Sequence, residues 1–185
     1  MRRIAMIVLG VLFAAGVQAA EVGGVKLDDK VAVGGRDLVL NGAGIRTRAI
    51  FKVYVGSLYV PAKAANLAAV LQGVPRRVQL NVLRNLSADQ LVDALLDGMK
   101  DNNTPAELAA IKAQTDQMVA TMKAFNDVKE GNVVTLDFVD GATKIGFNGA
   151  AKASIGGEAF NAALMKVWLG ENPVQADLKK AMLGG

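Results

Sequence analysis

The chain has 185 residues, of which 52% are apolar, and it carries 21 Lys and Arg residues against 17 Asp and Glu residues, with no Cys and no His. It therefore lacks a thiol nucleophile, a disulfide, an imidazole base and the usual ligands of structural zinc. We therefore expect no metal and no cofactor. The basic residues stand in small separate groups, whereas a nucleic-acid binder normally carries a clustered basic face, so we also expect no nucleic-acid partner.

Residues 1–19 have the layout of a secretory signal peptide. Two arginines precede an apolar run that ends at Gly16, and small residues follow at the last and third-last positions of the segment. The run is shorter than the roughly 20 residues that a membrane-spanning helix needs. We expect cleavage after Ala19, a periplasmic mature chain that does not span the membrane, and a single domain over residues 20–185. Without the leader, 19 basic and 17 acidic side chains remain, a net charge of +2.

The first part of the mature chain predicts short strands separated by turn residues. The dipeptides Gly34-Gly35 and Asn41-Gly42 are typical of turns. Segment 51–60 (FKVYVGSLYV) is rich in aromatic and β-branched residues, which favour a strand that is covered on both faces. The predicted strands are Val25–Leu27, Val31–Val33, Leu38–Leu40 and a long extended stretch from Ile45 to Val60.

Helices dominate the middle of the chain. Ser87 stands where an N-cap is expected, ahead of apolar residues at helical spacing. Thr104, Pro105 and Glu107 fit the N-cap, the first helical position and the third-position carboxylate of a capping box, and they predict one helix of about 20 residues. Its apolar side includes Met118 and Met122, which suit a core. A short helix over 66–72 and a strand over 76–83 precede these helices.

The last part predicts two hairpins and two helices. Asp140-Gly141 joins strands 133–139 and 143–147, and Asn148-Gly149 leads into a strand over 150–155. Helices are expected from Glu158 to Leu169 and from Pro173 to Met182. Strands and helices in separate blocks predict an α+β domain, with an antiparallel sheet and a layer of helices packed on one face.

The segment Gly42-Ala43-Gly44 is a weak candidate for a phosphate-binding loop. The dinucleotide-binding pattern needs a third glycine and a following helix, whereas a strand follows here. We interpret these glycines as part of a strand connection.

Arg46, Arg48 and Tyr54 lie at even positions on one face of an otherwise apolar stretch if the strand is regular, and Arg46 and Tyr54 are the candidate ligand-binding residues. A buried guanidinium is costly unless it meets an anion, and a carboxylate is its natural bidentate partner. Eight residues of straight strand span roughly 26 Å, so the two side chains can meet only if the chain turns near Ile50. No Gly, Pro or Asn marks such a turn. A solvated or salt-bridged arginine beside a core tyrosine is the structural alternative.

Segment 41–60 (NGAGIRTRAIFKVYVGSLYV) resembles the signature of the chalcone isomerase superfamily, in which a Gly-Ala-Gly-x-Arg stretch leads to a Lys-x-x-x-x-x-x-Tyr strand. Segment 160–184 is similar to the closing helices of that family, with its Gly-Glu and later Asp-Leu-Lys. The resemblance covers nearly all of the mature chain. It implies an open-faced sandwich of sheet and helices, as in the bacterial exported members of the group.

The resemblance also implies roles for the two candidate residues. Arg46 matches the family arginine. Tyr54 falls on a position that is Thr in the plant isomerases. In their fatty-acid-binding relatives this position is Tyr, and it joins the arginine in holding the carboxylate of the fatty acid.

The polar groups that the plant isomerases use for catalysis are not matched. Leu91 and Gly98 stand near their catalytic Tyr and Asn, and Val167 stands where they use Thr. A cyclisation needs groups that stabilise the developing enolate. We therefore expect no catalytic residue and an exported, non-catalytic protein that binds a small amphipathic carboxylate such as a fatty acid.

Two other functions remain open. One is an isomerase or intramolecular lyase of the chalcone–flavanone type, which rests on fold-level resemblance alone. The other is a protein-interaction or scaffold domain of the cell envelope. An enclosed apolar cavity at Arg46 would favour a ligand, and a filled core would favour the interaction domain.

Overall fold

The computed structural model describes residues 20–185, which form an α+β fold on a seven-stranded sheet. The predicted leader lies outside these residues. The strands are β1 (Ala20–Val22), β2 (Val25–Leu27), β3 (Lys30–Val33), β4 (Arg36–Arg48), β5 (Phe51–Val60), β6 (Arg76–Val82), β7 (Leu86–Ser87), β8 (Asp127–Val128), β9 (Val133–Val139), β10 (Ala142–Phe147) and β11 (Ala150–Gly156). The helices are α1 (Leu67–Gln72), α2 (Ala88–Asn102), α3 (Pro105–Ala110), α4 (Lys112–Lys123), α5 (Glu158–Leu169) and α6 (Ala176–Met182). None of these helices is both long and apolar enough to cross a membrane.

The main sheet has the order β11-β10-β9-β6-β5-β4-β3. Each strand in it pairs antiparallel with its neighbours. β1 and β2 form a separate hairpin, and β7 and β8 form a short pair. The antiparallel sheet with helices on it confirms the predicted fold class.

Two of the hairpin turns have the predicted chemistry. Asp140 and Gly141 adopt φ values of 56° and 73°, and Asn148 and Gly149 adopt 51° and 78°. Positive φ at both central positions is what a tight type I′ turn requires. The hairpin between β4 and β5 differs, because its first loop residue is Ala49, which adopts a φ of 53° that Gly, Asn or Asp would adopt at lower cost.

The helices begin largely where their caps predict. The hydroxyls of Ser87 and Thr104 each accept a hydrogen bond from the backbone amide three residues later, at 3.1 and 3.2 Å. The single long helix predicted after Thr104 is wrong, because the chain breaks at Ile111, where φ is −111° and ψ is 16°. The break lets Ile111 enter the core although no residue of α3 is buried. Tertiary packing thus overrides helix propensity at this position.

Strand β5 contributes to two cores. Tyr54, Leu58 and Val60 belong to the principal core between the sheet and the helices. Tyr59 belongs to a smaller core on the opposite face, together with Val33, Leu38 and Val139. Successive strand side chains point to opposite faces, so the prediction that both faces of this strand are covered is confirmed.

Helix α6 lies so close to β4 that only glycine fits at Gly42. A Cβ atom there would lie 2.0 Å from the carbonyl oxygen of Ala181. The neighbouring Asn41 side chain donates hydrogen bonds to the carbonyls of Met182 and Ala64, at 2.8 and 2.9 Å. The segment Gly42-Ala43-Gly44 is therefore part of strand β4, and the turn predicted at Asn41-Gly42 is wrong, because the lack of a Cβ atom at Gly42 lets α6 approach the strand.

Arg76 is buried at the start of β6, and all of its hydrogen-bond partners are neutral. Its Nε and Nη2 atoms donate to Oδ1 of Asn161 at 2.9 and 2.6 Å, and Nη1 donates to the carbonyls of Leu71 and Gly73. The guanidinium also lies 4.2 Å from the centre of the Phe138 ring. Burial lowers the pKa of Arg76 to about 10, which still leaves it charged at neutral pH. This network joins β6 to the end of α1 and to α5.

Candidate functional site

The β4–β5 hairpin places Arg46 directly opposite Tyr54. The two residues are register partners because the chain turns at Ala49 and Ile50, so the single extended stretch predicted from Ile45 to Val60 is wrong. The pairing then passes over Val53, so the regular alternation predicted for β5 is interrupted there. Directly opposite residues of an antiparallel pair share a face and lie within about 5.5 Å of each other. The two candidate side chains are therefore brought together.

The Tyr54 hydroxyl is buried and positioned as a hydrogen-bond donor. Its oxygen accepts a hydrogen bond of 3.0 Å from Nε1 of Trp168 on α5, and this is its only hydrogen bond within residues 20–185. Burial raises the pKa of Tyr54, and the Trp168 hydrogen bond and the Arg46 charge oppose that effect more weakly. The phenol therefore keeps its proton at neutral pH. That proton is available to an acceptor such as a carboxylate.

The Arg46 guanidinium is half-buried beside neutral oxygens. Nη1 donates to the carbonyl of Thr47 and, at 3.4 Å, to Oε1 of Gln175. None of the ion pairs found in residues 20–185 includes Arg46. A guanidinium carries five N–H donors, so most of its donor capacity remains for an anion. The site thus offers a positive charge and a neutral phenol donor side by side.

Gln175 fixes the strand on which Arg46 lies. Its Oε1 accepts from the backbone amide of Thr47 at 2.8 Å and from the Thr47 hydroxyl at 3.2 Å, and its Nε2 donates to the carbonyl of Ile45 at 3.3 Å. Gln175 is also the residue that precedes the first turn of α6. The amide side chain therefore joins α6 to the irregular end of the β4–β5 ladder.

Trp168 and Gln175 are site residues that the sequence did not reveal. Trp168 is the only tryptophan of the chain, but no regular spacing in the sequence connects it to Tyr54. Gln175 follows a proline and a valine in a segment predicted only as the start of the last helix. Both contacts span more than a hundred residues of chain, so neither has a local signal.

The positions that correspond loosely to isomerase catalytic groups form a helix contact. Gly98 of α2 packs on Val167 of α5, and a Cβ atom at position 98 would lie 2.8 Å from Cγ1 of Val167. Leu91, at the start of the same helix, packs against the principal core. Apolar atoms therefore occupy these three positions, and they provide no group that could stabilise an enolate.

Two surface clefts lie away from the candidate site. One of about 370 Å³ is lined mainly by the α6 region, including Lys179 and Lys180, and one of about 530 Å³ lies on the sheet face opposite the helices, including Arg77 and Asp137. Neither is lined by Arg46 or Tyr54. Side chains of the principal core, to which Tyr54 belongs, lie between the sheet and the helices. In residues 20–185, no group of three or more carboxylates is arranged to hold a metal ion.

Comparisons with known proteins agree with the fold. A crystal structure of a fatty-acid binding protein from Arabidopsis thaliana superposes with a TM-score of 0.64 over 83% of this chain and 95% of that chain, at 12% sequence identity. At that identity the likeness shows the fold alone. A search of curated proteins finds no match. The family model described as chalcone isomerase-like matches residues 19–184, so the chain belongs to the chalcone isomerase-like family.

Proposed function

We propose that this chain is a non-catalytic protein that binds a small amphipathic carboxylate, such as a fatty acid, and that it acts in the periplasm after residues 1–19 are removed. The observation that carries the proposal is the register pairing of Arg46 with Tyr54. A half-buried guanidinium that forms no ion pair in residues 20–185 lies beside a phenol that accepts from Trp168 and keeps its own proton. A carboxylate satisfies both groups.

The carboxylate would displace the weakest of the existing contacts. Gln175 lies 3.4 Å from Nη1 of Arg46, which is long for a charge-assisted hydrogen bond. Gln175 would keep its shorter bond to the backbone of Thr47, so α6 would stay in place. A carboxylate oxygen that binds the guanidinium therefore forms a strong, charge-assisted hydrogen bond and displaces only the weak contact with Gln175.

The apolar tail would lie among the side chains of the principal core. Tyr54 is a member of that core, and the core also contains Met118 and Met122. Methionine side chains are unbranched and repack readily around irregular apolar shapes. Because these buried side chains pack against one another, a tail that enters the core has to move helices and side chains apart. We therefore expect binding that is slower than diffusion and that changes the surroundings of Trp168.

The contacts of Arg46 with neutral oxygens also favour the second candidate function, a protein-interaction or scaffold domain of the cell envelope. In that case Arg46 would serve to hold the end of the β4–β5 hairpin through Thr47 and Gln175. The isomerase alternative has no such support, since Gly98 and Val167 pack against each other where polar groups would be needed.

Titration of delipidated protein with a long-chain fatty acid tests the proposal. Trp168 is the only tryptophan, so its emission reports directly on the Tyr54 hydroxyl. We expect saturable binding that Arg46→Gln weakens at least about tenfold, since hydrogen bonds to charged groups are the strong ones. Arg48→Gln, which alters an exposed arginine on the same strand, is the matched control and should leave the affinity unchanged.

A fatty alcohol of equal chain length distinguishes recognition of the carboxylate from nonspecific binding of the apolar chain. It should bind more weakly than the acid, and Arg46→Gln should not weaken it further. Absence of saturable binding above that of an unrelated protein would refute the ligand hypothesis and leave the scaffold function. Loss of chalcone absorbance on incubation with the protein, abolished by Arg46→Gln, would instead favour the isomerase.

A further inference from the structure

The tip of the β4–β5 hairpin exposes two adjacent large apolar side chains. Ile50 is 89% exposed and Phe51 is 52% exposed. In residues 20–185 the other exposed large apolar side chains are Val74 and Leu96, at 39% and 37%, and each stands alone in sequence. Single exposed apolar residues are ordinary, whereas an adjacent pair at the most projecting point of a hairpin needs an explanation.

The turn itself does not explain this composition. Arg48 pairs with Phe51, which leaves Ala49 and Ile50 as the two loop residues. Ala49 adopts a φ of 53°, a region that Gly, Asn or Asp would occupy at lower cost. The hairpin thus keeps an apolar tip where turn chemistry favours polar residues. Neither core includes Ile50 or Phe51, so folding does not require them there.

Three cations surround the apolar tip. Arg48 and Lys52 flank it along the chain, and the guanidinium of Arg84 lies 4.5 Å from the centre of the Phe51 ring. None of the three takes part in the ion pairs found in residues 20–185. The backbone amide of Glu130 donates a hydrogen bond to Asn85, next to Arg84, and the cation Lys129 adjoins Glu130 in the chain. The tip therefore carries a net positive charge.

We propose that the β4–β5 tip docks on the surface of a lipid bilayer that contains anionic lipids. Ile50 and Phe51 enter the boundary between headgroups and acyl chains, and Arg48, Lys52 and Arg84 contact lipid phosphates. Apolar and aromatic side chains with a collar of long basic side chains are the features of interfacial membrane anchors. Each basic residue near an anionic bilayer adds to its attraction.

A protein partner fits this surface less well. A specific protein interface buries roughly 800 Å² on each partner around an apolar centre. Two apolar side chains ringed by three cations offer a small apolar centre and a strong charge, which suit a bilayer surface. A free phosphate would need the cations but would gain nothing from Ile50 and Phe51.

Docking by this tip would bring the Arg46–Tyr54 pair close to the bilayer, since Arg46 lies only two residues before Arg48. If the proposed ligand is a fatty acid, the site would lie close to the bilayer from which the fatty acid comes. The docking itself does not depend on the proposed function, because it rests on residues outside the Arg46–Tyr54 pair.

Vesicle co-sedimentation of the chain from Ala20 onward, the part that the structure describes as folded, tests the proposal. The vesicles contain phosphatidylcholine alone or a mixture with phosphatidylglycerol. We expect binding to the mixture, at least about fivefold less with Ile50→Ser/Phe51→Ser and at least about tenfold less with Arg48→Glu/Lys52→Glu. Raised salt should release the protein, since it screens the attraction of exposed charges.

Two matched variants test whether the effects belong to the tip. Val74→Ser/Leu96→Ser removes the other exposed apolar side chains, and Lys30→Glu/Lys152→Glu reverses two exposed charges elsewhere in the sheet. Both should bind like the parent protein, and all variants should keep its urea midpoint. Glycerol phosphate in excess over the protein, added at constant ionic strength, should not release the bound protein.

Equal binding to both kinds of vesicle would overturn the proposal, as would tip variants that bind like the parent. Release by glycerol phosphate would also overturn it and point to a simple anion site. Fatty-acid affinity of the tip variants in the absence of vesicles should stay unchanged. The docking proposal and the ligand proposal can therefore fail separately.

Discussion

Nε1 of Trp168 donates a hydrogen bond of 3.0 Å to the hydroxyl oxygen of Tyr54, and both side chains are buried. The bond joins α5 to β5 at the point where Arg46 lies across the hairpin. It gives the indole N–H of Trp168 an acceptor and leaves the phenol proton of Tyr54 free to be donated to another group. One contact therefore contributes to the stability of the fold and prepares the candidate site.

Tyr54→Phe should destabilise the protein, because it leaves the buried Nε1–H of Trp168 without an acceptor. The cost of an unsatisfied buried donor is about 1–3 kcal/mol. Urea denaturation followed by circular dichroism should show a lower midpoint, and the Trp168 emission of the folded variant should shift. Tyr59→Phe is the matched control.

Tyr59 is also buried, and its hydroxyl forms no hydrogen bond of normal geometry in residues 20–185, although the Ser57 side chain lies near enough to interact with it. Removal of an unpaired buried hydroxyl ends its desolvation cost, so Tyr59→Phe should be neutral or slightly stabilising. Equal destabilisation by the two substitutions would mean that the Trp168 bond contributes nothing specific.

Gly42→Ala should displace α6 from β4. A Cβ atom at this position would lie 2.0 Å from the backbone oxygen of Ala181, which cannot move without the helix. Overpacking of this kind costs about 1–3 kcal/mol, and thermal denaturation should show it. The carboxy-terminal segment should also become more sensitive to protease.

Gly156→Ala is the control for Gly42→Ala. Nothing lies within 4 Å of a Cβ atom at position 156, and Gly156 is not among the glycines with positive φ. The substitution should be neutral or stabilise by about 0.4–1 kcal/mol through the unfolded state. A loss similar to that of Gly42→Ala would show that the helix contact is not the specific cause, because Ala is otherwise more favourable than Gly inside a strand.

The sequence predicts the sheet and its hairpins well because their signals are local. Asp140-Gly141 and Asn148-Gly149 carry the conformational preference that their turns need. The turn at Ala49 has no such signal. Its existence follows only from the requirement that Arg46 and Tyr54 meet, and the register confirms that requirement.

Features that depend on distant contacts are not predictable in this way. The break at Ile111 opposes a strong capping box and helix-forming residues, and only burial of the isoleucine accounts for it. The bond of Trp168 to Tyr54 and that of Gln175 to Thr47 join segments far apart in the chain. Whether Arg46 and Tyr54 hold a ligand stays a prediction.

The buried pair of Arg76 and Asn161 should be strongly coupled. Asn161→Ala leaves two charged N–H groups of Arg76 without an acceptor, so we expect a cost of about 3 kcal/mol. Arg76→Met alone should also destabilise. The double variant should cost less than the sum of the two, and a double-mutant cycle by urea denaturation measures the difference.

The exposed pair Lys112 and Asp116 provides the control cycle for that coupling. It is an i,i+4 pair with side chains that are 73% and 63% exposed, so its coupling should be about 0.5 kcal/mol or less. Similar coupling in the two pairs would mean that burial of Arg76 does not strengthen its bonds to Asn161.

Glu107 should make stability depend on pH in the acid range. Hydrogen bonds from the Thr104 amide and from Lys166, at 2.7 and 2.9 Å, lower the pKa of Glu107 to about 2 from an ordinary 4.5. A carboxyl whose pKa is lower in the folded state stabilises the fold above its unfolded pKa, and this contribution is lost as the pH falls from 4.5 to about 2. Glu107→Gln should therefore lower the urea midpoint at pH 7, and its difference from the parent should shrink across that interval.

Glu130→Gln removes an exposed carboxylate that forms no ion pair in residues 20–185, so it shows what the loss of one negative charge does by itself. A constant difference between Glu107→Gln and the parent from pH 5 down to about 2 would contradict the lowered pKa, because the contribution of the Glu107 charge must diminish as the carboxyl is protonated.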